Sequence, residues 1–285
     1  MAAPALSTPF QPYVYQSPQA AVTPFQILGG EAQIVQVMLK PQDHIVSRSG
    51  SLCYMSGSIQ VEPTIPNENE AGGFWQWLFG KVNPTTTFVN IGPENGYIGL
   101  SAPSLARILP IDLPMFGGEI TCQRGAYLCS INDVTLATTT THRARAGFFG
   151  GEGFLMQKLV GQGLAFITAG GSVVQKNLAQ GEVLVVDAGC VLAMTSSVKC
   201  ELKYAASGKW AFLGGEGLLH AHLTGPGVVF IQSLPFPRFA QRIARAVAPP
   251  HIRENPRIII QLGLFALMAY IFVASSLLLA DLADL

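Results

Sequence analysis

The stretch FFGGEGFLMQKLVGQGLAFI, residues 148–167, recurs without a gap as FLGGEGLLHAHLTGPGVVFI, residues 212–231. A second pair matches in the same way: GSLCYMSGSIQVE from Gly50 and GCVLAMTSSVKCE from Gly189, with QRGAYLCSINDVTLA from Gln123 as a diverged third copy. Repetition on this scale means that one structural unit is used several times, each copy giving its neighbours a surface to bury. The phrase Gly-Gly-Glu starts at Gly29, Gly117, Gly150 and Gly214, each time after Leu or Phe.

The repeated unit reads as strands. Val198, Cys200, Leu202 and Tyr204 alternate with Lys199, Glu201 and Lys203, which is the period of a strand with one face buried. Ile59 and Val61 alternate with Gln60 and Glu62 in the equivalent places, so both copies are expected to bury the same positions. The glycine pairs, Gly161-Gln-Gly163 and Gly225-Pro-Gly227 supply turns, where a residue without a β-carbon tolerates positive φ. The sequence predicts an all-β fold of short antiparallel strands.

From Ile258 to Ala280 no residue carries a charge, and about 20 apolar residues suffice for a helix to cross a bilayer. A C-terminal transmembrane helix is therefore expected. Arg238, Arg242, Arg245, Arg253 and Arg257 precede it, and only Asp281 and Asp284 follow. Basic residues stay on the side where a chain is made or retained, so the residues before the span are expected in the cytosol, or in the matrix or stroma. So short a tail after the span is the layout of a tail-anchored protein, inserted after synthesis.

The expected organisation is a Pro-rich, mobile arm over 1–24, a repeated β domain over 25–236, a basic amphipathic helix and linker over 237–257, the span over 258–280 and an acidic tail over 281–285. The 17 Lys plus Arg balance 17 Asp plus Glu, so the basic excess of a nucleic-acid binder is missing and no nucleic-acid partner is expected. Cys53, Cys122, Cys129, Cys190 and Cys200 form no CxxC pair and no zinc spacing, and are expected as buried, reduced thiols. The first basic residue is Lys40, which does not fit an Arg-rich presequence.

No G-x-S-x-G elbow, HExxH or Cys-His signature is present, so neither enzymatic activity nor a cofactor is expected. His220 and His222 lie two apart and share a strand face, but no third ligand of suitable spacing accompanies them. A Gly-Gly-Glu turn can cradle phosphate, yet no strand-loop-helix unit or P-loop Lys follows it, so the phrase reads as a turn.

Two stretches point to apolar contact. In GGFWQWLFG, residues 72–80, Trp75 and Trp77 sit in an aromatic cluster suited to headgroups, to a subunit contact or to the loop's own core. In PRFAQRIARAV, residues 237–247, Phe239, Ile243 and Val247 share one helical face while Arg238, Arg242 and Arg245 form a stripe on another. Such a helix suits an anionic lipid surface or docks on the β domain with its arginines solvated.

Leu28-Gly-Gly-Glu31, GQGLAFITAGGSVVQKNLAQGEVLVVDAG from Gly161 and LTGPGVVFIQSLP from Leu223 together resemble the altered inheritance of mitochondria protein twenty-four family. The family's domain is similar to the tryptophan RNA-binding attenuator protein fold, which implies an antiparallel β-sandwich or prism of pseudo-threefold repeats. It implies a non-enzymatic role in mitochondrial membrane organisation, and the anchored layout resembles the plant form. The expected function is a membrane-anchored scaffold, with the lipid bilayer and protein partners or a second copy as its contacts. A β-domain module that binds a small ligand or RNA is the alternative. A mitochondrion is the first expected location, a plastid envelope or the endoplasmic reticulum the next.

Overall fold

The computed structural model describes residues 9–13, 15, 24–63, 85–138, 156–204, 219–247 and 263–272. The chain divides into two units, Met1–Phe236 and Pro237–Leu285.

Apart from β1 (Gln11–Pro12) and β2 (Phe25–Leu28), the strands of the first unit fall into three consecutive sets of six. The first set is β3 (Ile34–Leu39), β4 (His44–Arg48), β5 (Leu52–Met55), β6 (Ile59–Pro63), β7 (Thr85–Asn90) and β8 (Gly96–Ser101). Next come β9 (Arg107–Asp112), β10 (Glu119–Gln123), β11 (Tyr127–Ile131), β12 (Val134–Thr138), β13 (Met156–Gly161) and β14 (Leu164–Ala169). The last set is β15 (Val173–Leu178), β16 (Val183–Asp187), β17 (Val191–Thr195), β18 (Lys199–Tyr204), β19 (Leu219–Thr224) and β20 (Gly227–Gln232).

Each set pairs internally by one rule, always antiparallel. The sixth strand takes the first and third as neighbours. The fifth takes the second and fourth. Even the register shift in the third strand recurs, between Leu52 and Tyr54, Tyr127 and Cys129, and Val191 and Ala193. The pseudo-threefold expectation is met, and the diverged copy at Gln123 is the central one. Three core clusters result, each shared with a neighbouring set: Val37 and Ile98 of the first set with Phe166 of the second, Leu159 and Ile167 of the second with Phe230 of the third, and Val191, Leu223 and Val229 of the third with Met156 of the second. Burial of these aliphatic and aromatic faces is the main stabilising term.

Neighbouring sets are joined where the second strand of one meets the third strand of another. β4 pairs with β11 through Ile45–Ile131, Val46–Ser130 and Ser47–Cys129. β10 pairs with β17 through Ile120–Thr195, Thr121–Met194 and Cys122–Ala193. These seams fuse layers into a six-stranded and a seven-stranded sheet. The third equivalent seam, β16 with β5, is not hydrogen-bonded: β16 ends a three-stranded sheet and β5 ends a four-stranded one.

Several expectations need correction. The arm is not free over its whole length, because Gln11–Pro12 pairs with Gln175 and Val174 of β15, and Tyr13 packs edge-on to Phe230 with ring centroids 5.2 Å apart. Val61 does not share the burial of Ile59; it is exposed, whereas its counterpart Cys200 is buried. Cys53 is exposed and Cys190 half-buried, while Cys122, Cys129 and Cys200 are buried; none of the five is in a disulfide. Cys53 occupies the bulge position of β5, whose counterparts Leu128 and Leu192 are fully buried under a neighbouring strand.

The glycine pairs have a steric cause beyond turn formation. Gly161 holds φ at 152°, and a β-carbon there would lie 1.8 Å from the Asp133 carbonyl oxygen. Gly225, its counterpart one set later, would meet the Ala179 carbonyl oxygen at 2.3 Å. The hairpins close because another backbone passes where a side chain would stand.

Helix α1 spans Phe236–Val247. Residues 263–272 form a further helix of ten residues inside the expected span. At 1.5 Å rise per residue that helix covers about 15 Å, half of a bilayer core. Among the described residues no helix is long and apolar enough to cross a membrane. The remainder of 258–280 lies outside them, as do Trp75, Trp77 and residues 281–285.

Candidate functional site

In α1, Phe236, Phe239, Ile243 and Val247 recur at spacings of three and four, which stacks them on one side of a helix with 3.6 residues per turn. Phe236, Ile243 and Val247 are exposed and Phe239 is half-buried. Arg238, half-buried, and Arg242, exposed, project from the opposite side. Arg245 continues that stripe in the helix backbone, and its side chain lies outside the described residues. The helix itself holds no acidic residue. Arginines near a C-terminal turn also suit the helix dipole. The structure thus brings Arg238, Phe239, Arg242 and Ile243 together on one amphipathic helix as expected. Trp75 and Trp77 lie outside the described residues.

The helix over residues 263–272 is apolar all round. Leu264, Phe265, Leu267, Met268, Tyr270, Ile271 and Phe272 are all exposed. A helix without a polar face needs apolar surroundings on every side.

His220 and His222 do share the outer face of the sheet formed by β16, β19 and β18. Their cross-strand neighbours are Asp187 and Lys203 for His220, and Val185 and Glu201 for His222. Glu201 in turn pairs with Lys199 at 2.7 Å, and the hydrogen bond from that ammonium lowers its carboxyl below the usual range. Among the described residues no group of three His, Cys, Asp or Glu side chains is placed to hold a metal.

The two described Gly-Gly-Glu phrases are turns. Gly29 has φ of 92° and Gly117 and Gly118 have φ of 77° and 81°, the latter two closing a short 3-10 helix over Leu113–Phe116. Their glutamates go to separate lysine and arginine partners, Glu119 to Lys158 and Glu31 to Arg107. The phrases at Gly150 and Gly214 lie outside the described residues.

Strand alternation gave no sign of the polar ties across the seams. Arg48 donates from Nη1 to the Gly125 carbonyl at 3.1 Å, crossing from the first set to the second. Gln123, the equivalent of Arg48, donates to the Gly189 carbonyl at 2.8 Å, crossing from the second set to the third. Gln232 joins it, donating to Gln123 Oε1 at 2.9 Å and accepting from the Gly170 amide at 3.0 Å. Tyr127 reaches over the first seam to the Val46 carbonyl at 3.0 Å, and burial raises its hydroxyl pKa well above the ordinary value. The third latch position holds Asp187, whose carboxylate accepts from the Gly189 amide at 2.9 Å and cannot donate. A signal for this was present in the aligned repeats, where Arg48, Gln123 and Asp187 each stand two residues before Gly50, Gly125 and Gly189.

A crystal structure of protein SPYM3_0169 from Streptococcus pyogenes is similar, with TM-score 0.63 and 19% identity over 79% of this chain and 100% of that one. At that identity the likeness shows the fold. A search of curated proteins returns no match. The family model described as mitochondrial biogenesis AIM24 matches residues 25–234, which spans all three strand sets and more than half of the chain. The chain belongs to the mitochondrial biogenesis AIM24 family.

Proposed function

We propose that the chain is a non-enzymatic scaffold of mitochondrial biogenesis, held on a membrane by its C-terminal segment. The observation that carries this reading is the helix over residues 263–272, apolar and exposed on every side, inside a run from Ile258 to Ala280 that has no charge. A bilayer supplies the surroundings such a helix needs, and the run is long enough to span. The arginine stripe of α1 lies before the run and suits anionic headgroups. Five arginines before the run and two aspartates after it favour the β unit on the side where the chain is made or retained.

The scaffold part of the reading is supported by what the β unit does with its polar groups. Every buried side-chain nitrogen or oxygen among the described residues has a hydrogen-bond partner, and the buried amides and hydroxyls tie strands together. Family membership supplies the tie to mitochondrial biogenesis.

The test compares the full chain with a chain ending at Arg257. Carbonate extraction and liposome flotation should leave the full chain with the membrane and release the shortened one. Equal retention of both would overturn the anchor. A tag on the N-terminus, imaged against organelle markers with protease protection, should give mitochondrial signal with the β unit on the matrix or cytosolic face.

A further inference from the structure

Among the described residues, β16 is the only second strand of a set whose outer edge is unpaired, and it is also the most apolar of the three. Its sequence is Val183-Leu-Val-Val-Asp187, aliphatic on both faces, as in strands covered on all sides. β4 and β10 occupy the same place with a neighbour on each edge, yet carry His44, Ser47 and Arg48, and Glu119, Thr121 and Gln123. Val183 and Val185 are 56% and 51% exposed, whereas Val46 and Thr121, the counterparts of Val185 in β4 and β10, are half-buried. Natural edges are protected by Lys, Pro or bulges. β16 has none of these and keeps an unshifted register with β19 over its whole length.

We propose that β16 pairs antiparallel with β16 of a second copy of this chain, about a two-fold axis at Val185, so that two three-stranded sheets become one six-stranded sheet. In this register Val185 faces the second copy's Val185, Leu184 faces Val186, and Val183 faces Asp187. Branched aliphatic pairs meet across the strands and no two carboxylates are opposed. The contact continues an existing sheet, as β4 and β10 do within the chain, and gives a sheet of the same size as the one running from β6 to β9. A two-fold contact uses up the edge and closes. Pairing β16 with β5 of another copy would instead leave a free edge at each end and propagate. It would also place Asp187 where the two existing seams have a donor, Arg48 or Gln123.

The test uses the full chain in detergent with Cys53→Ser, so that the exposed native thiol is removed. Val185→Cys is compared with Met115→Cys, a position of similar exposure on the 3-10 helix. Residues opposite each other in an antiparallel pair are within disulfide reach. Under mild oxidation Val185→Cys should form a covalent dimer roughly tenfold faster or more, the advantage of a held pair over a colliding one. Val185→Lys should convert the dimer to monomer in sedimentation with an unchanged circular dichroism spectrum. Equal cross-linking rates, a monomeric unsubstituted chain, a dimer that survives Val185→Lys, or open-ended growth with concentration would each overturn the proposal. Capture of β5 would appear as an intrachain bridge in a Val185→Cys, Met55→Cys double variant, and that outcome also overturns it.

Discussion

Gln123 donates from Nε2 to the Gly189 carbonyl oxygen at 2.8 Å, and this bond ties the second strand set to the third. The same atom pair type recurs from Arg48 to Gly125 at the other seam. Gln123→Ala leaves the Gly189 carbonyl with only the longer bond from Gln232 Nε2 at 3.3 Å, and should destabilise by about 1 kcal/mol, with a similar loss for Arg48→Ala. Urea denaturation monitored by tryptophan-independent circular dichroism reads both. A Gln123→Ala chain as stable as the parent would show that the seam rests on strand pairing alone.

Gly161→Ala places a β-carbon against the Asp133 carbonyl at φ of 152°. The loss should reach about 3 kcal/mol or more, in the range reserved for backbone strain and overpacking. Gly57→Ala has open space around it and should stay within about 0.5 kcal/mol. Thermal melts of the two variants side by side make the comparison.

The Lys176 ammonium is nearly buried and pairs with Glu182 at 2.6 Å. Hydrogen bonding from Lys176 holds the Glu182 carboxyl below its ordinary value. A depressed carboxyl contributes stability above its unfolded pKa, and that contribution is lost as pH falls through the folded value. Stability should therefore decline below the ordinary carboxylate range, about pH 4.3. Glu182→Gln should lower stability at pH 7 and flatten the decline, leaving the part due to Glu119 and Glu201, whose carboxyls are lowered by Lys158 and Lys199. Denaturation midpoints between pH 3 and pH 7 test the slope.

The five thiols should react in order of access. Cys53 should be alkylated first and Cys190 next. Burial pushes the Cys122 thiol up to about 12 and raises Cys129 further, so both should stay unmodified until the chain unfolds. Mass spectrometry of peptides after timed alkylation gives the order. Early modification of Cys122 would mean that the β4–β11 and β10–β17 sheets open far more than their pairing suggests.

A peptide of residues 236–247 should bind anionic vesicles and release them in high salt. At about 1 kcal/mol for each basic residue, changing Arg238, Arg242 and Arg245 to Ala should weaken binding about a hundredfold. Ile243→Glu should weaken it too, by removing an exposed apolar contact. Binding that ignores both charge and salt would assign the stripe to another partner.

Much of the fold was legible in the residues. The ungapped repeats at Gly50 and Gly189, and at Phe148 and Phe212, correspond to strands three to four and five to six of their sets, and the copy at Gln123 completes the threefold. The amphipathic character of α1 followed from spacing alone. Exposure of Val61 and Cys53 did not, because each depends on whether a neighbouring strand covers its own. The seam donors were hidden for a related reason: Arg48 and Gln123 read as ordinary polar residues at strand ends.

By itself the sequence determined which residues face inward along each strand, where glycine must turn the chain, and that the C-terminal run carries no charge. These are local properties, set by side-chain period, steric freedom and transfer from water. Only the tertiary structure decided which strand edges meet. Backbone donors and acceptors on an edge are the same for every residue, so alternation that fixes a strand's faces leaves its edges unassigned. That is why three second strands, β4, β10 and β16, end in two closed seams and, among the described residues, one open edge.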